Sequence, residues 1–243
     1  MIFGEKMDNR FAYIDKNFSE ISRRIDQALA VRPEEYGGCV LLAAIKSADA
    51  DEINYLHKFH GVNDLGENRV QQLLERYTLI EDREGLRIHF IGTLQRNKVK
   101  YIIDKVDMIH SVDSEALARE IAKRAVGCSR VVDVLIEINI GREESKSGIM
   151  PEDAARVAAF ADSLEGIRVR GFMTMAPICE SDEAYRRYFS EMRTLAYGIW
   201  KDVLKKDGSP ILSMGMSQSF VPAIAEGAGI VRIGRQLFAK PEG

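Results

Sequence analysis

The sequence lacks what a secreted, membrane-spanning or metal-clustered protein needs. Three cysteines, Cys39, Cys128 and Cys179, are an odd and widely spaced set. No CxxC occurs and no Cys/His group has metal-ligand spacing, so reduced thiols in a reducing compartment are expected. Charges run through the first thirty residues from Glu5 to Asp26, the opposite of a signal peptide. The longest unbroken apolar run, Cys39 to Ile45, falls far short of the ~18 residues that cross a bilayer. Net charge is −3, so no broad cationic field exists to attract nucleic acid or anionic membrane. No low-complexity linker divides the chain, and one domain over 1–243 is expected. These absences point to a cytoplasmic protein, with a monomer as the default.

What is present is an ordinary globular composition, 46% hydrophobic and 29% charged, over 243 residues. That length suits a single α/β barrel. Residues 8–30 read as an amphipathic helix, with Phe11, Ile14, Phe18, Ile21, Ile25 and Ala28 at three- and four-residue steps. Pro33 and the Gly37-Gly38 pair end it. Apolar, β-branched runs follow at 39–45, 61–65, 87–91, 106–110, 131–140, 167–173, 210–213 and 229–233. Helix-like segments follow each, at 50–60, 67–79, 95–104, 114–126, 151–163, 182–205, 218–226 and 235–239. Asp49, Asp113 or Ser114, Ser181 and Ser217 read as helix caps, and Pro151 suits a first turn. Eight strand–helix units predict a closed parallel (β/α)8 barrel with an extra N-terminal helix.

Barrels of this kind carry their chemistry where strands end. The first strand closes on Lys46. A lysine with its stem in apolar surroundings supplies a free amine that attacks carbonyls. The seventh strand ends Ser213-Met214-Gly215-Met216-Ser217 before a helix, which reads as an anion cradle. The eighth ends Val231-Arg232-Ile233-Gly234-Arg235, the second place where barrels bind phosphate. His89 and Asn139 are polar residues on apolar strands and need partners or a ligand. A reactive lysine opposite a phosphate cradle suits two classes, a sugar-phosphate aldolase and a pyridoxal 5′-phosphate protein.

The blocks Leu41-Leu42-Ala43-Ala44-Ile45-Lys46, Gly66-Glu67-Asn68, His89 to Lys98, Ser145-Lys146-Ser147-Gly148, Arg170-Gly171-Phe172-Met173, Ser213 to Ser217 and Val231 to Gly234 run in order along nearly the whole chain. In these blocks the sequence resembles the pyridoxal phosphate homeostasis proteins, single-domain relatives of the alanine racemase barrel (fold type III). The resemblance implies a carrier that holds pyridoxal phosphate as a Schiff base on Lys46. It implies a phosphate cup of Ser213, Gly215, Met216, Ser217, Gly234 and Arg235, and a pyridine-nitrogen partner in Arg232. Asn68, His89, Asn139 and Met173 would line the ring, and Lys146 would be a second lysine for transfer to apo-enzymes that need the cofactor. Five positions depart from the family pattern: Ile45 stands for Ser or Thr, Leu65 for Phe, Gln218-Ser219 for an acidic pair, and Arg235 for a hydroxyl residue.

An arginine donating to the ring nitrogen keeps that nitrogen an acceptor and weakens the ring as an electron sink. In the alanine racemases that the sequence resembles, a second base comes from a separate β domain, and no such domain is expected here. The expectation is therefore a cofactor carrier without demonstrable turnover. The alternative is an amino-acid racemase of the same fold.

Overall fold

The computed structural model describes residues 9–241. Helix α1 spans Ala12–Ala30, after a single 3₁₀ turn at Asn9–Phe11, and buries Ile14, Ile21, Ile25 and Ala28. The start of the expected helix at residue 8 lies outside the described residues. Arg32, nearly fully buried, then anchors the chain: its guanidinium donates to the carbonyls of Tyr36, Gly37, Gly38, Ile224 and Ala228. Each bond from a charged donor to a buried carbonyl satisfies a group that would otherwise be stranded.

Eight parallel strands follow: β1 (Val40–Ala44), β2 (Asp64–Glu67), β3 (Arg87–Phe90), β4 (Met108–Val112), β5 (Val132–Ile138), β6 (Ile167–Thr174), β7 (Ile211–Met216) and β8 (Ile230–Ile233). They pair in sequence order and close, β1 lying beside β8 with Leu42 opposite Arg232. Side-chain alternation divides the core in two. One face of each strand packs outward against the helices in a continuous apolar shell. The other fills the barrel with a small cluster of Leu42, Ala44, Ile91, Met108, Leu135, Met173 and Ile230.

The connecting helices are α2 (Ala50–His60), α3 (Val70–Tyr77), α4 (Glu115–Gly127), α5 (Pro151–Asp162), α6 (Asp182–Gly198) and α7 (Phe220–Ala225). Asp49 caps α2 in a reciprocal capping box with Glu52, Ser114 caps α4, Ser181 caps α6, and Pro151 opens α5. Three connections differ from the sequence expectation. The segment at 95–104 is a 3₁₀ stretch, Arg96–Tyr101, in which only Val99 is buried, too little apolar face to hold a full helix. The segment at 235–239 is a turn. The end of the segment at 182–205 widens into a π-helix at Ile199–Val203. All three cysteines are free, and burial pushes the Cys39 thiol up to about 12, which leaves it unreactive. No helix among the described residues is long and apolar enough to cross a membrane, and no group of metal-ligating side chains occurs among them.

Candidate functional site

Parallel closure brings every strand's C-terminal end to one face, so residues far apart in sequence meet there. At the end of β1 the chain turns at once into a 3₁₀ turn, Ile45–Ser47, which buries Ile45 and leaves Lys46 exposed. The turn is braced. Arg76 donates to the Lys46 carbonyl at 3.3 Å and to the buried Glu67 carboxylate at 2.5 Å. Glu67 also accepts from the Asn68 backbone N–H at 2.9 Å. One carboxylate at the end of β2 thus positions both Lys46 and Asn68. Glu67 stood in the Gly66-Glu67-Asn68 block with no role assigned to it, and Arg76 escaped the sequence reading; the visible signal was a carboxylate on a wholly buried strand, which requires a cationic partner.

The end of β8 lies directly beside this turn, and that of β7 one strand further round. Gly215 sits at φ +91, and a Cβ there would meet the Ala223 Cβ at 2.6 Å. Only glycine lets β7 turn directly onto α7. The expected cap, Ser217, does not cap: α7 starts at Phe220, its N-cap is Ser219, and Ser219 Oγ instead accepts from the Met216 N–H at 3.2 Å. Two residues of turn separate the strand from that cap, so Ser217 is left half-buried and Met216 exposed on the face. Gly234 ends β8 against β1, where a Cβ would come within 2.4 Å of the Ala44 carbonyl oxygen. That contact brings the Gly234 backbone within two residues of Lys46. Arg235, exposed, opens the turn beyond it.

The end of β5 contributes Asn139, whose side chain donates to the Glu143 carbonyl at 2.8 Å and accepts from its N–H at 3.2 Å. Asn139 therefore shapes the loop that carries Lys146, which is exposed. Ser147 in that loop meets Thr93 at 3.0 Å. Met173, fully buried, packs in the interior cluster.

Beneath this face a row of polar groups runs through the barrel interior beside the apolar cluster. Arg232 is 5% exposed; it donates to Ser213 Oγ at 2.6 Å and to the Thr174 carbonyl at 3.0 Å. Ser213 also meets His110 Nδ1 at 3.0 Å, so its hydroxyl is already shared between two protein partners. His110 Nε2 lies 2.9 Å from His89 Nδ1, and His89 Nε2 lies 3.0 Å from Asp64. His89 is thus a satisfied interior histidine, both of its nitrogens engaged below the face. Burial, then the negative charge of Asp113, push the Glu137 carboxyl up to about 7 against the pull of Arg232. Burial draws the Arg232 guanidinium down to about 10, which leaves it protonated at neutral pH.

The donor set suits a planar phosphorylated aldehyde. Lys46 offers an amine. Glycines at 215 and 234 keep the strand ends free of side chains where an anion needs close access to backbone N–H groups. Arg232 has five N–H donors and spends two on the protein, which leaves donors for an aromatic nitrogen.

Residues 19–240 match the family described as alanine racemase, N-terminal domain. A pyridoxal phosphate homeostasis protein of Aquifex aeolicus is 41% identical over 228 residues, covering 93% of this chain and 97% of that one. A protein of the same name from Pseudomonas aeruginosa is 32% identical over 225 residues, covering 93% and 94%. Among solved structures, PipY of Synechococcus elongatus, with pyridoxal phosphate bound, has a TM-score of 0.78 at 29% identity, covering 90% of this chain and all of that one. An alanine racemase of Clostridium difficile shares the fold at 18% identity and a TM-score of 0.72, covering 96% of this chain but 58% of its own. The chain belongs to the alanine racemase N-terminal domain family and, within it, to the pyridoxal phosphate homeostasis proteins.

Proposed function

We propose that this protein binds pyridoxal 5′-phosphate on the C-terminal face of its barrel, through a covalent link to Lys46, and serves intracellular homeostasis of that cofactor. The observation that carries this reading is the β1–β8 junction, where paired strands bring the exposed Lys46 and the bare Gly234 backbone to one end of the barrel above the buried Arg232. When bound, pyridoxal phosphate supplies an aldehyde and an electron-withdrawing ring. The Lys46 amine would hold the group covalently at that aldehyde carbon. Ser217 and the backbone of Gly215, Met216, Gly234 and Arg235 hold the phosphate, with the Arg235 guanidinium as a charged ligand. Arg232 donates, so the ring nitrogen it faces stays unprotonated. Asn68 and Met173 border the ring, while Ser213 and His89 act from below through Arg232. Lys146, on the loop shaped by Asn139, stands ready to take part in transfer to apo-enzymes. The protein works as a cytoplasmic monomer, and its task is holding and release.

The purified protein is expected to be yellow, and borohydride should fix the cofactor's mass on the peptide containing Lys46. Lys46→Ala should lose the covalent adduct and keep residual affinity through the phosphate. Labelling confined to another lysine rejects the assignment. Equal affinity for pyridoxal and its phosphate ester rejects the phosphate site.

A further inference from the structure

Arg232 stands at one end of a continuous row of buried polar groups. It runs from Arg232 to Ser213 at 2.6 Å, to His110 at 3.0 Å, to His89 at 2.9 Å and to Asp64 at 3.0 Å. The four links join β8, β7, β4, β3 and β2 across the barrel interior. All five side chains are nearly or fully buried, and Asp64, paired with the exposed Arg87, is the one that borders the surface. Asp64 is the first residue of β2 and lies at the end of the barrel opposite Lys46.

Donor arithmetic gives the row one direction. Arg232 can only donate, so Ser213 Oγ accepts from it. The Ser213 hydroxyl then needs an acceptor of its own, and the one within reach is His110 Nδ1. His110 thus carries its proton on Nε2 and donates to His89 Nδ1. His89 in turn carries its proton on Nε2 and donates to Asp64. Every donor then meets an acceptor. The reverse arrangement starts from a doubly protonated His89 and puts a proton on His110 Nδ1, which leaves the Ser213 hydroxyl proton buried without a partner. Burial above all holds His110 well below the ordinary imidazole range, in keeping with a neutral ring. Hydrogen bonds from His89 and Arg87 overcome the burial of Asp64 and hold its carboxyl below its ordinary value.

We propose that Ser213, His110, His89 and Asp64 form a one-way hydrogen-bond relay that locks Arg232 in its orientation, which makes Asp64 a positioning residue for the cofactor ring from the far end of the barrel. This rests on the reading that Arg232 faces the ring of pyridoxal phosphate. A carboxylate at the far end commits each proton in turn, and the last lone pair in the row is the one that Arg232 needs. Breaking the row anywhere frees the Ser213 hydroxyl to rotate and leaves the guanidinium one anchor fewer.

The test has two parts. In the protein without cofactor, ¹⁵N NMR of labelled histidine should show His89 and His110 both protonated on Nε2 and bare on Nδ1. A proton on Nδ1 of either ring overturns the relay. Pyridoxal phosphate is then titrated into Asp64→Asn, Ser213→Ala and Ser213→Thr. In the first two, affinity should fall about three- to tenfold, and the absorption band of the bound cofactor and its pH profile should shift. Ser213→Thr keeps the hydroxyl and should restore the wild-type band. Asp64→Asn also breaks the ion pair with Arg87 at 2.6 Å, so Arg87→Gln, which leaves the row whole, should keep the wild-type band. Wild-type bands in both Asp64→Asn and Ser213→Ala, or an equal shift in Arg87→Gln, overturn the relay. Wild-type protein that takes up no pyridoxal phosphate overturns the functional reading instead, and the histidine result then stands alone.

Discussion

A carboxyl beside a guanidinium ordinarily ionises readily, yet Glu137 holds its proton to about pH 7. Burial and Asp113 outweigh the attraction of Arg232, because the solvation lost on leaving water exceeds what one cation returns. The consequence for stability has a definite sign. Between its ordinary value of 4.5 and about 7 the folded chain keeps a proton that the unfolded chain releases. Stability from this group is therefore full below the lower value and is lost as pH rises through the higher one. Glu137→Gln removes the proton linkage. Relative to the wild type, the variant should gain about 3 kcal/mol between pH 4.5 and pH 7.5, read from urea denaturation across that range. A constant difference with pH would show that Glu137 titrates normally.

At the scale of elements, the turn from β7 into α7 separates two serines that look alike in sequence. Ser219 is buried and satisfies the Met216 N–H, so it belongs to the fold. Ser217 is half-buried and donates to no protein group in the turn, which leaves its hydroxyl available for the proposed phosphate. Ser219→Ala should cost about 1–3 kcal/mol by stranding a backbone donor. Ser217→Ala should leave stability within about 0.5 kcal/mol of wild type. It should also weaken pyridoxal phosphate about ten- to a hundredfold by removing one charge-assisted bond. Denaturation and equilibrium dialysis on both variants separate the roles, and matching behaviour would merge them. The serines also show what a sequence discloses. The eight strands were legible because apolar, β-branched runs and helical periodicity are local patterns, and α2 is found at 50–60 as expected. The positions of Lys46 and Gly234 at strand ends, and of Arg232 in β8, were legible because apolar runs mark those strands. Which serine caps α7 depended on Gly215 turning at positive φ, which only the close approach of Ala223 reveals. Asp64 and His110 were invisible as a set, because their partners lie 25 and 103 residues away in sequence.

For the whole molecule, a site assembled from the ends of several strands couples ligand binding to the closed state. Pyridoxal phosphate at one hundred times its dissociation constant should add about 2.7 kcal/mol. In a chain of this size that raises the thermal midpoint by about 5–10 °C. Pyridoxal at the same concentration should shift it little. Scanning calorimetry checks both, and equal shifts would show that the phosphate contributes nothing to binding.

The junction of β1 with β8 has a further consequence during synthesis. About 190 residues separate Leu42 from its partner Arg232. At the usual pace of translation, β8 leaves the ribosome roughly 10–40 s after β1. Over that interval the nascent barrel is an open sheet with β1 as an unprotected edge. Arg232 and Gly234 come with β8, the strand that closes the barrel, so the proposed site stays incomplete until β8 has emerged and paired with β1. On the proposed reading, the earliest moment of cofactor capture is set by that closure.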